Sequence, residues 1–290
     1  MDVKFTKMHG SGNDFIVVGE WEREQVPGER KAEFVRRACD RHFGIGSDGA
    51  IFVQKSKAHD VNFVFYNPDG SKAEMCGNGI RCLAKYAFEQ SLVKKMHMSA
   101  ETLAGVKVLD LTVVDDSVVE VKVDMGRPQL RRSEAQITGE PDEMFVSQTV
   151  TVEGVDYVIT AVGMGNPHAI IFVRDLDMVD VVRSGSAIRN HLSLFPKGTN
   201  VHFVQQVGDN EFRIRTYERG VEDETLACGT GICAAAVASV LNRKADIGKP
   251  LRFHARGGDI KVELEGTPDD IRNAYLIGPS EEAFKGTFSF

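Results

Sequence analysis

Two short stretches of the chain repeat each other, and this repetition constrains the fold more than any other feature of the sequence. The first runs from Cys76 to Ile80 (Cys-Gly-Asn-Gly-Ile), and the second runs from Cys228 to Ile232 (Cys-Gly-Thr-Gly-Ile). In both, a cysteine precedes a glycine-rich turn that opens into an apolar, helix-prone run. A cysteine at the start of a helix faces unpaired N–H groups and the positive end of the helix dipole, which favours its thiolate form.

Four landmarks recur in the same order at offsets of 153, 152, 151 and 152 residues. They are Asn13 and Asn166, Asp48 and Asn200, Tyr66 and Tyr217, and Cys76 and Cys228. A fixed offset of this kind indicates an internal duplication. We therefore predict an α/β protein of the α+β type with two pseudo-symmetric domains. Each domain would be a mixed, strand-rich, barrel-like sheet around a central helix.

The alternating strand pattern breaks at Gly126-Arg127-Pro128, and we place the domain boundary there. The first domain, residues 1–125, carries Cys76, and the second, residues 126–277, carries Cys228. The C-terminal strand, residues 278–290, is expected to pack back on the first domain. Small-molecule sites usually lie in clefts between domains, so we expect the active site in the cleft between these two.

Composition excludes several functional classes. The 290-residue chain has a formal net charge of −7 and no cluster of basic residues, which argues against nucleic-acid binding. Its longest wholly apolar run, Ile232 to Ala238, is too short to span a bilayer. The N-terminal residues lack the charged segment and apolar stretch of a signal peptide. We therefore predict a cytoplasmic protein without nucleic-acid or membrane partners.

The five cysteines are an odd number in a chain that is large enough to fold without disulfides. The spacings of Cys76 to Cys82 and of Cys228 to Cys233 do not both match a zinc knuckle, so we predict no metal site. Because cysteine is among the most buried residue types, Cys39, Cys82 and Cys233 are expected to fill the core.

Local sequence patterns predict the remaining loops and helices. Residues 9–14 are predicted to form a turn-rich loop between two strands, and residues 29–42 an amphipathic surface helix. Residues 44–49 match G-x-G-x-x-G, but they follow a helix and precede a strand, so we interpret them as a connecting loop. A second helix is predicted at residues 177–191, and Asp48 is interpreted as a turn residue.

Two thiols on opposite sides of one carbon centre could invert its configuration. One thiolate would remove a proton from one face, and the opposite thiol would deliver a proton to the other. A cysteine pKa of about 8.5 is close enough to neutrality for one thiol of a pair to be ionised. Without a cofactor, a carbanion beside a carboxylate needs hydrogen-bond donors, and glycine-lined helix N-termini supply them.

Six motifs together resemble the diaminopimelate epimerase family, in the family's order and over most of the chain. They are His9–Phe15, Asn67–Ser71, Cys76–Gly79, Gly165–His168, Tyr217–Gly220 and Ala227–Gly231. The resemblance implies a cofactor-independent, two-thiol epimerase that interconverts LL- and meso-diaminopimelate, a precursor of lysine and peptidoglycan. It also implies a small amino-acid substrate and a homodimer.

The resemblance implies a role for each matching position. Cys76 and Cys228 would be the acid–base pair, assisted by His168 and Glu218. The reacting α-carboxylate would be held by Asn13, Gly77, Asn78, Gly229 and Thr230. The distal end of the substrate would be held by Asn67, Asn166, Asn200 and Arg219, and Glu218 would assist proton transfer or bind substrate. At position 49 some family members carry a substrate-contacting Gln where this chain has Gly49, so that contact is not transferred.

Simpler interpretations and rival functions stay open. Asn in a turn and an exposed Glu–Arg pair are common for structural reasons alone. A proline or hydroxyproline racemase would also use two thiols, although Arg219 would then lack a distal carboxylate to bind. A thiol redox sensor or a non-catalytic amino-acid binding protein would not depend on Cys76 for chemistry.

Overall fold

A computed structural model describes residues 1–290 of the chain. The chain divides into two compact units. Unit 1 comprises residues 1–124 together with the C-terminal residues 277–290, and unit 2 comprises residues 125–276. Each unit consists mainly of β-strands with two α-helices. None of the helices combines the length and the apolar character that crossing a bilayer requires.

Unit 1 contains nine strands and two helices. The strands are β1 (Asp2–Gly10), β2 (Asn13–Glu20), β3 (Ala50–Gln54), β4 (Val61–Tyr66), β5 (Lys72–Ala73), β6 (His97–Thr102), β7 (Gly105–Val114), β8 (Ser117–Gly126) and β18 (Glu281–Ser289). The helices are α1 (Lys31–Cys39) and α2 (Gly77–Glu89). Strands β2 and β3 pair in parallel, as do β4 and β6, and the other neighbouring pairs are antiparallel.

Unit 2 repeats this arrangement. Its strands are β9 (Gln148–Val152), β10 (Val155–Gly163), β11 (Pro167–Phe172), β12 (Asn200–Gly208), β13 (Glu211–Glu218), β14 (Asp223–Thr225), β15 (Leu251–Ala255), β16 (Gly258–Thr267) and β17 (Asp270–Gly278). Its helices are α3 (Val181–Arg189) and α4 (Gly229–Leu241). The parallel pairs are β11 with β12 and β13 with β15.

The predicted duplication is confirmed by the strand register, although Asn200 corresponds to Gly49 and not to Asp48 as predicted. Ala50 lies opposite Tyr66 in unit 1, and Val201 lies opposite Tyr217 in unit 2. On the parallel side, Ile16 pairs with Ala50 and Ala169 pairs with Val201. Strand β18 lies beside β1 as β9 lies beside β10, so each unit has the same order of neighbours. A mixed α/β fold with a helix against each sheet is therefore confirmed.

Helices α2 and α4 form the buried centre of their units. Helix α4 is apolar on every face, and only Thr230 and Leu241 of its residues are not buried. A helix that is hydrophobic all round is stable only when it is enclosed by other elements, and α4 contacts β10, β11, β12 and β16. Helix α2 is similarly enclosed but also buries two cations, Arg81 and Lys85.

Several predicted boundaries were wrong. Residues 9–14 are not one loop: His9 and Gly10 end β1, Asn13 begins β2, and only Ser11 and Gly12 form the turn. Both turn residues have positive φ (52° and 82°), as a two-residue type I′ hairpin requires. Helix α1 is shorter than the predicted 29–42 and buries Phe34, and α3 is shorter than the predicted 177–191 because Asp180 caps it. Strands β6 and β14 were missed.

The three cysteines that were expected in the core are buried. Cys39, Cys82 and Cys233 are at most 4% exposed. Burial raises the pKa of Cys39 and of Cys82 to about 12, so both remain protonated thiols near neutral pH. None of the five cysteines forms a disulfide. Cys39, Cys82 and Cys233 therefore behave as small apolar side chains.

Candidate active site

Cys76 caps helix α2 in unit 1. Its backbone is extended (φ −139°, ψ 118°), and its carbonyl accepts the first helical hydrogen bond from the Ile80 N–H at 2.9 Å. Its Sγ accepts a hydrogen bond from the Gly79 N–H at 3.4 Å. The sulfur thus replaces the side-chain oxygen that usually caps a helix, and it lies where the helix dipole favours an anion.

Two asparagines adjoin Cys76. The Cys76 Sγ lies 3.9 Å from Asn13 Oδ1, and this oxygen also accepts a hydrogen bond from Asn78 Nδ2 at 3.4 Å. Asn78 is only 2% exposed, whereas Asn13 is half-buried at the start of β2. The hairpin β1–β2 and the first turn of α2 therefore bring Asn13, Cys76 and Asn78 together.

A charged network fixes Asn13. Its Nδ2 donates to Asp48 Oδ2 at 2.5 Å, and Asp48 also binds Arg41 at 2.7 Å. Arg41 continues to Asp14 at 2.8 Å, and Lys7 binds Asp14 at 2.6 Å. Burial raises the pKa of Asp14, but hydrogen bonds from Arg41 and Lys7 outweigh it and lower the pKa overall. Asp48 therefore orients Asn13, a role that its interpretation as a turn residue missed.

Arg81 is a fully buried cation beneath the Cys76 site. Its Nη1 donates to the Gly77 carbonyl at 3.2 Å and to Asn78 Oδ1 at 3.0 Å, and its Nη2 donates to Ser11 Oγ at 3.0 Å. Its Nε donates to the Pro279 carbonyl at 3.1 Å. Four acceptors on three segments of unit 1 hold the guanidinium, so Arg81 fixes the Asn78 side chain and the first turn of α2. Sequence reasoning missed this residue.

Apolar side chains lie behind the Cys76 site. Phe15 and Phe65 form an edge-to-face ring pair with centroids 5.9 Å apart. A methyl group added to Gly79 would lie 3.3 Å from Ile51 Cδ1 and 3.5 Å from Phe15. Glycine at position 79 thus brings the helix backbone close to Ile51 and Phe15. No ionisable group belongs to this layer.

Cys228 caps helix α4 in unit 2 with the same extended backbone (φ −119°, ψ 108°). Its carbonyl accepts from the Ile232 N–H at 2.9 Å, and its Sγ lies 3.5 Å from Thr230 Oγ1. Cys228 is 6% exposed and Gly229 is buried, while Thr230 is half-buried. The backbone N–H groups of the Gly229–Thr230 turn begin the helix beside the sulfur.

A chain of hydrogen bonds lies behind the Cys228 site. Thr216 Oγ1 is 2.9 Å from His202 Nδ1, His202 Nε2 is 2.9 Å from His168 Nδ1, and His168 Nε2 is 2.8 Å from Asn166 Oδ1. Because an amide oxygen only accepts, His168 carries its hydrogen on Nε2. His202 then donates from Nε2, and its Nδ1 accepts from Thr216. Every partner in this chain is uncharged.

Burial keeps both imidazoles neutral. It lowers the pKa of His202 to about 3, and it lowers the pKa of His168 well below its usual range, with smaller contributions from His202 and Arg219. One nitrogen of each ring and the Cys228 Sγ lie within 4.8 Å of one another. These three groups are the only cluster of histidine, cysteine and acidic side chains with the spacing of a metal site. His202 was not predicted as a site residue.

His202 also explains Gly231. A methyl group on Gly231 would lie 2.0 Å from His202 Cε1, closer than any real contact. The same glycine in unit 1, Gly79, faces Ile51 at 3.3 Å. The second glycine of each Cys-Gly-x-Gly stretch therefore admits a side chain from the neighbouring strand, which is an imidazole in unit 2 and an aliphatic chain in unit 1.

The remaining predicted residues lie at or next to the ends of strands. Asn200, 2% exposed, donates from Nδ2 to the Pro167 carbonyl and accepts at Oδ1 from the Arg219 N–H, both at 3.0 Å. Arg219 Nη1 donates to the Lys197 carbonyl at 3.1 Å, and the Glu218 carbonyl accepts from the Glu222 N–H at 2.8 Å. Asn200 therefore connects the first residue of β11 to the loop after β13.

In unit 1, Asn67 belongs to the turn after β4. Its Nδ2 donates to Ser71 Oγ at 3.0 Å, and its carbonyl accepts from the Gly70 N–H at 2.9 Å. This geometry fits the structural interpretation of Asn67 as a turn residue, while the side chain stays half-buried and accessible. A role in binding substrate remains a prediction.

Solved structures with this fold include enzymes that change configuration at carbon. A hydroxyproline epimerase from Agrobacterium vitis with bound trans-4-hydroxy-L-proline matches with a TM-score of 0.72 at 15% identity, over 99% of this chain and 91% of that one. A PhzF-family phenazine biosynthesis protein from Bacillus anthracis matches with a TM-score of 0.74 at 14% identity, over the full length of both. The chain thus has the two-domain fold that these epimerase and PhzF proteins share.

Within this fold class, the chain belongs to the diaminopimelate epimerase family. The family model for diaminopimelate epimerase matches residues 5–131 and 160–281. A diaminopimelate epimerase from Pelotomaculum thermopropionicum is 45% identical over 287 residues, covering 99% of each chain. One from Methanothermobacter thermautotrophicus is 43% identical over 285 residues, covering 98% of each chain. Family membership resolves the sequence-based alternatives in favour of an epimerase.

Proposed function

We propose that this chain interconverts LL- and meso-diaminopimelate, with Cys76 and Cys228 as the acid–base pair at the α-carbon. Family membership supports the reaction. The observation that carries the chemistry is the repeated placement of a cysteine at the N-terminus of an enclosed, glycine-lined helix. Each sulfur lies beside a first helical turn, where N–H groups and the helix dipole stabilise a thiolate.

In the proposed reaction, one cysteine acts as a thiolate and the other as a thiol. The thiolate takes the α-proton from one face of the substrate carbon, and the thiol gives its proton to the other face. After turnover the protonation states of the two sulfurs are exchanged, so the reverse reaction uses them in the opposite roles. The proposal requires both sulfurs to reach one carbon from opposite sides.

The reacting carboxylate would be bound by the N–H groups of the two first turns. Buried Gly77 and Gly229 allow the backbone to approach the ligand, and Asn13, Asn78 and Thr230 add side-chain donors. As negative charge moves from the carbanion onto the carboxylate, these fixed donors stabilise the transition state more than the ground state. The chain's own groups therefore supply the stabilisation that the predicted absence of a cofactor demands.

The distal end of the substrate would be bound by loops at the strand ends. Arg219 uses Nη1 for backbone carbonyls, which leaves Nη2 and Nε to bind a carboxylate as a fork. Asn67 and Asn166 lie half-buried beside their turns, and Asn200 holds the Arg219 backbone. We assign Asn200 chiefly to positioning Arg219, since both ends of its amide already bind the backbone.

His168 and Glu218 would assist proton transfer or substrate binding. Because burial keeps His168 uncharged, it would act by hydrogen bonding and not by pairing as an imidazolium with the Cys228 thiolate. Its Nε2–H orients the Asn166 oxygen at 2.8 Å, which in turn fixes the direction of the Asn166 amide.

We further propose a cytoplasmic homodimer, which cell fractionation and sedimentation measurements would test.

Single cysteine variants test the mechanism. Cys76→Ala and Cys228→Ala should each lower the rate of epimerisation by at least about 10²–10⁴-fold, because each variant removes an acid or a base. In deuterated water the wild type should incorporate deuterium at the α-carbon. Cys82→Ala and Cys233→Ala are matched controls, since these buried thiols lie on the same two helices. Both control variants should keep an activity near that of the wild type. Full epimerase activity in either catalytic variant would contradict the proposal.

Substrate selectivity tests the role of Arg219. Diaminopimelate should be epimerised, whereas lysine, which lacks the distal carboxylate, and 4-hydroxyproline should not. Arg219→Met should raise KM for diaminopimelate by about 10-fold or more, since a charge-assisted hydrogen bond contributes roughly 1.5–3 kcal/mol. Turnover of 4-hydroxyproline above that of diaminopimelate would assign the chain to a different substrate.

A further inference from the structure

The Cys228 site contains the donor set of a zinc site. One nitrogen of His168, one nitrogen of His202 and the Cys228 Sγ lie within 4.8 Å of one another, and all three residues are buried. Thiolate and imidazole are preferred ligands of Zn²⁺, and zinc sites with three protein ligands keep the fourth position for water. The three ligands come from β11, β12 and the N-cap of α4, which are neighbouring elements of unit 2.

The second nitrogen of each ring is already held by an oxygen. His168 Nε2 is 2.8 Å from Asn166 Oδ1, and His202 Nδ1 is 2.9 Å from Thr216 Oγ1. Metal-binding imidazoles nearly always have this outer hydrogen bond, which fixes the ring and its tautomer. The nitrogens that remain, His168 Nδ1 and His202 Nε2, face each other at 2.9 Å.

This spacing is close to what one metal ion requires. Two nitrogens bound tetrahedrally to zinc at about 2.0–2.1 Å lie roughly 3.3 Å apart. The distance between the two nitrogens therefore changes by only a few tenths of an ångström, and each ring turns so that its nitrogen lone pair points at the ion. Both rings are neutral, so no proton has to be removed from an imidazolium before the metal binds.

We propose that Zn²⁺ binds reversibly to Cys228 Sγ, His168 and His202, and that this ion removes the Cys228 thiol from use. The fourth position would be taken by water. On binding, the Sγ–H bond is replaced by an Sγ–Zn bond, and the thiol proton goes to solvent. The hydrogen on His202 moves from Nε2 to Nδ1, where it is donated to Thr216, so one proton is released per thiol and nothing is oxidised or reduced.

Unit 1 provides an internal control for this inference. The register places Phe15 where unit 2 has His168, Ile51 where it has His202, and Phe65 where it has Thr216. The Cys76 site therefore offers one sulfur and no imidazole, and it should not bind zinc at the same concentration. Zinc binding itself does not depend on the proposed epimerase reaction, whereas the loss of the Cys228 thiol from that reaction rests on the proposed function.

Cobalt spectroscopy tests the site directly. Reduced, chelator-treated protein is titrated with Co²⁺, which reports a bound thiolate by a charge-transfer band in the near ultraviolet and tetrahedral geometry by visible bands. Wild type and Cys76→Ala should both show these bands at one ion per chain, and Zn²⁺ should remove them by displacing Co²⁺. Cys228→Ala should show no thiolate band.

The His202 variants identify the ligand set. His202→Ile copies the residue of unit 1, and His202→Asn is a second variant in case the isoleucine chain does not fold. Each should weaken Zn²⁺ binding by at least about 10–100-fold, the loss that follows even from removing an outer-shell partner. A wild type without the thiolate–cobalt band, a band that survives in Cys228→Ala, or unchanged zinc affinity in a folded His202 variant would overturn the proposal. Epimerase activity is measured separately, so either result can fail without the other.

Discussion

The Cys76 site and the Cys228 site have the same backbone but different chemistry behind it. In unit 1 the helix start rests on Phe15, Ile51 and Phe65, with the Arg81 charge beneath the first turn. In unit 2 the corresponding layer is the neutral hydrogen-bonded chain from Thr216 to Asn166. The duplication thus preserved strand register and helix capping, whereas the side chains that tune each sulfur diverged.

Glycine substitutions should give the largest difference between the two sites. Gly231→Ala forces a methyl group against His202 at 2.0 Å and should destabilise the protein by about 3 kcal/mol or more, whereas Gly79→Ala should cost about 1 kcal/mol or less. Urea unfolding of both variants measures this difference. His202→Ala should restore much of the stability of Gly231→Ala. Equal costs at the two glycines would show that the close approach to His202 does not matter.

Acid should destabilise unit 2 through its histidine pair. The folded-state pKa of His168 and His202 is lowered, so both stay neutral in the fold but bind protons when unfolded below a pKa of about 6.5. Stability is therefore lost as pH falls below that value. Between pH 7.5 and pH 5.5, protonation of the two rings in the unfolded state should lower the free energy of unfolding by about 3 kcal/mol. His202→Asn should reduce this loss by about half. Urea unfolding at both pH values tests it, and an unchanged pH dependence in the variant would contradict it.

Removing the Arg81 charge should affect Cys76 and leave Cys228 unchanged. Arg81→Gln takes a positive charge from beneath the first turn of α2, so the thiolate form of Cys76 should become less stable relative to the thiol. Arg81→Lys, which keeps the charge, is the control. The rate of alkylation against pH, resolved for each cysteine by mass spectrometry, gives both pKa values. An equal shift at Cys228 would indicate general loosening of the fold and not a local charge effect.

The smallest expected effect on stability comes from the surface residue His254. Its pH dependence has the opposite sign to that of the buried histidines and has to be subtracted in the acid experiment. Hydrogen bonds from Glu211 and Asp259 raise the pKa of His254, so its stabilising contribution is present below pH 6.5 and is lost as pH rises through the folded-state value. His254 and its two carboxylate partners are partly exposed. His254→Gln should therefore lower the free energy of unfolding by roughly 0.2–1 kcal/mol at pH 5.5 and by less at pH 8. A larger cost at pH 8 than at pH 5.5 would reverse the expected sign.

Much of the fold could be predicted because it depends on local patterns. The fixed offsets between Cys76 and Cys228 and their neighbours indicated the duplication, and the break of the alternating pattern at Gly126 marked the end of β8. The capping cysteines followed from the Cys-Gly-x-Gly stretches. Strand β14 was missed because its three residues are too few to show a pattern, and β6 was missed because His97–Thr102 alternates but contains only one β-branched residue and no aromatic ring other than the His97 imidazole.

The residues behind the cysteines could not be predicted in the same way. Arg81 lies on an apolar helix, where a lone cation is usually solvated, and its burial depends on acceptors from Ser11 and Pro279 that are distant in sequence. His202 lies in a strand whose pattern gives no sign of His168 beside it. One signal was available: His202 aligns with Ile51 under the duplication, so a polar side chain in one copy marked a position of divergence.

The pairing of the last strand with the first has a consequence for synthesis of the chain. Strand β18 lies antiparallel to β1 from Asp2 opposite Ser289 onward, and the Phe290 N–H binds the Met1 carbonyl at 2.8 Å. Unit 2 is one continuous segment, whereas unit 1 lacks this strand until residues 281–289 have been synthesised, which is after all of unit 2. The later-encoded half can thus complete its sheet first, and the edge of β1 that β18 covers stays open until β18 has emerged.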